Sequence, residues 1–120
     1  MFQTLLKEVV DGVDGGLATI VMDFEGIPVD SYAKPTSTEF DIATIGAEFS
    51  VVIKSIQRAS EMLEAGEMAE VTIQAGKVMT LIRVISDTYF VAFAMTPEAN
   101  IGKARYMLRT KVPTLAKELA

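Results

Sequence analysis

Between Met68 and Met95 three strand-like segments follow one another with almost nothing between them. Residues 68–75, MAEVTIQA, alternate, with Ala69, Val71 and Ile73 on one parity and Glu70, Thr72 and Gln74 on the other. Residues 78–85, VMTLIRVI, and 89–95, YFVAFAM, are densely apolar. Only Gly76-Lys77 and Ser86-Asp87-Thr88 separate them. Alternation at period two marks a strand covered on one face, and an unbroken apolar run marks one covered on both. Links this short join antiparallel neighbours. The rest of the chain must therefore supply covers for both faces of a sheet.

It contains three helical patterns and two more strands. Phe2, Leu5, Leu6, Val9, Val10 and Val13 recur at helical spacing over residues 2–14, and Gly15-Gly16 stops the run. Residues 17–23, LATIVMD, read as a strand buried on both faces. Residues 27–33, IPVDSYA, read as a shorter one, and Pro28 assigns it to an edge or delays its start. Thr38 is a candidate helix cap, with Asp41 three residues on. Ile42, Ile45, Phe49, Val52, Ile53, Ile56 and Leu63 then form one stripe, ended by Gly66, which predicts a helix of about seven turns. A last helix begins near residue 100, its inner face drawn from Ile101, Ala104, Met107, Leu108, Val112 and Leu115, with Pro113 predicted to kink or divide it. The order α-β-β-α-β-β-β-α predicts one α+β domain over residues 1–120. A five-stranded antiparallel sheet carries the first and last helices on one face and the long middle helix on the other.

Composition excludes several functions. The chain has no Cys and no His, so thiol nucleophiles, Cys–metal sites and the usual neutral-pH base are absent. No nucleophile with an acid–base pair can be assembled, so no catalytic residue is expected. A net charge of −5 without a basic cluster opposes nucleic-acid binding. No apolar run reaches the roughly 20 residues a bilayer span needs, and MFQTLLKEVV lacks the pattern of a signal peptide. The expectation is a soluble cytoplasmic protein. Half of the residues are hydrophobic, which points to a large core or to apolar surface meant for another subunit.

Asp23, Glu25 and Asp30 crowd into MDFEGIPVDS. As oxygen ligands they would suggest a cation site. Turn chemistry accounts for them more fully: Asp opens a turn by accepting a backbone N–H, and Gly26 supplies a positive φ. A hairpin without metal is expected. Gly15-Gly16 runs from helix to strand, the wrong direction for a phosphate loop, so neither nucleotide nor other cofactor is expected. Asn100 suits a helix cap, and Gly102 allows close approach to the sheet. Arg105 has either a structural or solvated role or a role toward a partner, including that of an arginine finger.

On the middle helix, Ala43, Gly46, Ala47 and Ser50 form a line of small residues that continues through Lys54, Arg58 and Glu61. Gly46 costs about 1 kcal/mol in a helix interior relative to Ala, so a packing use is expected. That use is either crowding against a neighbouring loop or helix–helix contact across a two-fold axis.

GGLATIVMDFEGIPVDS at 15–31 and TPEANIGKARYMLR at 96–109, set in this order of elements, resemble the Roadblock family, which includes dynein light-chain roadblock proteins and MglB-like regulators of Ras-like GTPases. The matching positions are Gly16, Asp23, Gly26, Asn100, Gly102 and Arg105; a partner contact through the longer terminal extensions of some MglB proteins is not expected. The resemblance implies a Roadblock/profilin-like fold and a homodimer formed through the middle helix and the strand after it. The interface would use Ala43, Gly46, Ala47, Ser50, Lys54 and Arg58 of the helix, with Val71 and Ile73 of the strand. Gly16, Asp23, Gly26, Asn100 and Gly102 would serve as structural turns and caps. A Ras-like small GTPase is the implied partner, its nucleotide cycle modulated by a module that is not itself an enzyme. A scaffold subunit without effect on GTP turnover and a small-molecule sensor are the alternatives.

Overall fold

The computed structural model describes residues 2–35 and 41–120. Its elements are α1 (Phe2–Asp11), β1 (Gly16–Asp23), β2 (Pro28–Ala33), α2 (Ile42–Met62), β3 (Glu70–Gln74), β4 (Met79–Val84), β5 (Tyr89–Met95) and α3 (Ile101–Leu119). The strands pair antiparallel throughout, in the order β2-β1-β5-β4-β3. The three most apolar segments take the centre. β2, which begins at its proline, takes one edge, and the alternating β3 takes the other.

Side-chain alternation divides the core in two. Val21, Leu81, Val91, Phe93 and Met95 meet α1 and α3 through Leu6, Val9, Val10, Ala104, Leu108 and Leu115. Ala18, Ile20, Met22, Ile82, Phe90, Ala92 and Ala94 point to the other face and meet Ile42 and Ile53 of α2. Three of those sheet positions are alanines, and they leave room for a helix to lie close.

The entry to β1 depends on glycine. A Cβ on Gly16 would stand 2.5 Å from the Val10 carbonyl oxygen, so the chain leaving α1 can pass there only without a side chain. The helix itself ends at Asp11, earlier than the apolar pattern extends, because Gly12 to Gly15 are already turning.

Several boundaries of the other helices differ from the sequence expectation. Thr38 lies outside the described residues. Asp41 is the cap of α2, accepting from the Ala43 N–H at 3.1 Å and from the Thr44 hydroxyl at 2.9 Å. α2 is 21 residues long and stops at Met62, short of Gly66. Glu64, at φ +54°, takes the left-handed position that glycine usually fills. α3 runs unbroken through Pro113. That proline is exposed, so water can satisfy the carbonyl it leaves without an intrahelical donor.

Candidate functional site

The β1–β2 hairpin is built around Asp23. Its Oδ1 accepts the Glu25 and Ile27 backbone N–H groups, each at 2.9 Å, while the Gly26 N–H bonds the Asp23 carbonyl at 3.0 Å. Gly26 has φ +87°. The other two carboxylates face elsewhere. Glu25 pairs with Lys54 of α2 at 2.9 Å, and Asp30 accepts the Ser31 N–H at 2.8 Å. Phe24 folds inward onto Phe90, ring centroids 5.3 Å apart. The acidic stretch is thus a hairpin tip that reaches up to α2.

That reach gives two of the small residues a packing use within the chain. A Cβ on Gly46 would lie 3.0 Å from Met22 Cε, and one on Gly26 would lie 3.3 Å from Ser50 Oγ. Gly46 and Ser50 are buried inside this chain, so they drop out of the expected interface; they let α2 settle onto β1 and the hairpin tip. Ala43 is half-buried against the same core. Ala47, Lys54 and Arg58 remain exposed, Lys54 with its ammonium held by Glu25.

The outer face of α2 carries what the apolar stripe had assigned to the core. Val52 is 48% exposed and Leu63 77%; Val51 at 67% and Met62 at 78% join them. Ser55 and Ala59 lie between, also exposed, so an apolar ridge runs along the helix. α2 rests mainly on β1 and β2. On the same side of the sheet, Val71 and Ile73 of β3 stay only half-buried, and the outer edge of β3 pairs with no strand among the described residues. Ridge, half-covered strand and open edge are the features of these elements left without a cover among the described residues.

The opposite face of β3 is tied down by charge. Glu70 receives Arg83 Nη1 at 3.2 Å and Arg105 Nε at 2.8 Å, and Arg105 also donates to the Thr72 hydroxyl at 3.1 Å. Asn100 caps α3, its Oδ1 accepting the Lys103 N–H at 3.1 Å. Gly102 is exposed, and an added Cβ would meet only Asn100 Oδ1 at 3.4 Å, so it makes no close approach to the sheet. An open groove of about 920 Å³ lies where the end of α2 passes the β4–β5 turn. Its lining carries Glu61, Glu64, Glu67 and Asp87 and no cation, which repels anionic small molecules. No three acidic side chains among the described residues are grouped to hold a metal ion.

A five-stranded antiparallel sheet with one long helix on one face and two helices on the other defines a Roadblock/profilin-like α+β domain. No family model matches the chain, and no curated protein matches it. Solved structures do. MglC from Myxococcus xanthus is 38% identical, with 98% of each chain covered and a TM-score of 0.70. A Roadblock/LC7 domain from Streptomyces avermitilis is 13% identical over 98% of this chain and 96% of that one, with a TM-score of 0.85. MglB from Thermus thermophilus is 14% identical over 98% and 88%, with a TM-score of 0.86. The chain belongs to the Roadblock family, and MglC is a relative at 38% identity.

Proposed function

We propose that this chain is a homodimeric, non-enzymatic binding module that docks a Ras-like small GTPase and modulates its nucleotide cycle. The observation that carries the reading is the exposed apolar ridge of α2, together with an outer edge of β3 that pairs with no described strand. An unpaired strand edge is a template for pairing with another chain unless something covers it. A second copy can cover both features at once, strand beside strand and ridge beside ridge, in a self-complementary two-fold contact. A solved MglB adopts a tetrameric arrangement, which agrees with a domain that assembles.

The GTPase would supply its own catalytic groups, with this chain stabilising a reactive conformation of its switch loops. Arg83 and Arg105 are engaged with Glu70 on the sheet face away from α2. Among the described residues no helix is long and apolar enough to cross a membrane, and a cytoplasmic location goes with this reading.

A scaffold without effect on GTP turnover is the second reading. The solved MglB structures, at 8% and 14% identity, share the fold alone, so a role in GTP turnover does not carry over from them to this chain. The test is GTP hydrolysis by a Ras-like protein from the same genome, with and without the chain. A changed rate supports the modulator; binding with an unchanged rate supports the scaffold.

A further inference from the structure

α3 presents a basic face on the side of the sheet opposite α2. Of the 11 Lys and Arg in the chain, Lys103, Arg105, Arg109, Lys111 and Lys117 lie on this helix, whose only carboxylate is Glu118. The chain as a whole carries −5, so this is a local concentration of positive charge. Arg105 is engaged with Glu70, and Lys111 with Glu8. Lys103, Arg109 and Lys117 are exposed and enter no ion pair among the described residues.

Helix stability accounts for only one of the three. Lys117 in the last turn is favoured by the helix dipole, whereas Lys103 in the first turn is opposed by it. Arg109 has no acid three or four residues away: Arg105, Tyr106, Val112 and Pro113 occupy those positions. Tyr106, 57% exposed, lies three residues from each. Positions 103, 106, 110, 113 and 117 repeat at three and four, so they follow one line about 21 Å long, and Arg109 flanks it between Tyr106 and Pro113. Tyrosine and arginine, here exposed three residues apart, are two of the residue types enriched in protein-binding hot spots, and the lysines add charge around them.

We propose that this face binds a carboxylate-rich helical segment of a protein partner, so that one copy engages partners on both sides of its sheet. The line matches the side of an acidic helix of about four turns. Three free cations are too few for a nucleic-acid footprint. An anionic bilayer fits less well, because the net charge of −5 opposes approach and the exposed positions of α3 hold no large aliphatic residue to insert. The inference is independent of the dimer, since α2 and α3 cover opposite faces.

The test is fluorescence anisotropy of a labelled Glu-rich helical peptide of about 15 residues, titrated with the full chain. A parallel arm measures co-sedimentation with phosphatidylserine–phosphatidylcholine vesicles. The peptide is expected to bind, and more weakly as salt rises from about 50 to about 200 mM. Arg109→Glu and Lys103→Glu are each expected to weaken binding about tenfold, with a smaller loss for Tyr106→Ala. Lys77→Glu, in the exposed turn before β4, is expected to leave it unchanged. No peptide binding, equal binding by Arg109→Glu, or an equal loss in Lys77→Glu overturns the proposal. Vesicle binding that Arg109→Glu abolishes, without peptide binding, assigns the face to a membrane and overturns it as well.

Discussion

Replacing Val51 by Glu places a carboxylate on the α2 ridge, at the middle of the helix. Val51 is 67% exposed in the single chain, so this is the share of its surface a partner can cover. Full burial of a valine is worth about 1.5–3 kcal/mol, so covering two-thirds contributes about 1–2 kcal/mol per protomer and about 2–4 kcal/mol per dimer. The substitution loses that contribution, and each new carboxylate must either shed water beside its two-fold mate or hold the seam open. The dimer dissociation constant is expected to rise about 30- to 1,000-fold. Sedimentation velocity over a dilution series reads it. The wild type is expected at twice 13.0 kDa, and the variant at 13.0 kDa over the same concentrations. The far-ultraviolet circular dichroism spectrum should not change, because the replaced side chain faces solvent. A variant that dissociates no more readily than the wild type refutes the ridge as the seam.

Gly46→Leu is expected to cost about 1–3 kcal/mol in urea unfolding by overpacking Met22, where a contact-free seam position would cost nothing. Asp23→Asn keeps an oxygen for the two turn N–H groups and should cost less than about 1 kcal/mol; Gly26→Val, at φ +87° and close to Ser50, should cost about 2–4 kcal/mol in the same assay. Calorimetric titration of calcium or magnesium should be silent, and tight binding that Asp23→Asn abolishes would contradict the hairpin account. If the chain stimulates a GTPase, Ala at Arg58, Arg83, Arg105 or Arg109 should leave stimulation within about tenfold. An arginine finger is worth about 10³- to 10⁵-fold, so a variant that still binds but loses a thousandfold identifies one.

The sheet was legible because its signals are local. Alternation in β3, continuous apolar runs in β4 and β5, and the proline opening β2 each follow from whether one face or both are covered. The orientation of α2 was not. Its large residues suggested one buried stripe, yet Val52 and Leu63 face outward while Gly46 and Ser50 face in. Periodicity ranks positions by side-chain size and misses a face that is buried because its residues are small. The available signal was complementarity: a small-residue line on α2 and a glycine at the hairpin tip are what a close crossing needs. The end of α2 was misplaced because Glu64 tolerates the left-handed position that Gly66 had been assigned. Pro113 misled for a related reason. Its missing donor costs little on a solvent-facing side of α3, and sequence alone does not say which side that is.

The central claim is a dimer that recognises a small GTPase according to its nucleotide. The direct measurement is isothermal titration of the dimer with a Ras-like protein from the same genome, loaded in turn with GDP and with a non-hydrolysable GTP analogue. The account predicts binding that differs between the two states and weakens when Val51→Glu breaks the ridge. Heat that is absent in both states, or equal in both and indifferent to Val51→Glu, would contradict it.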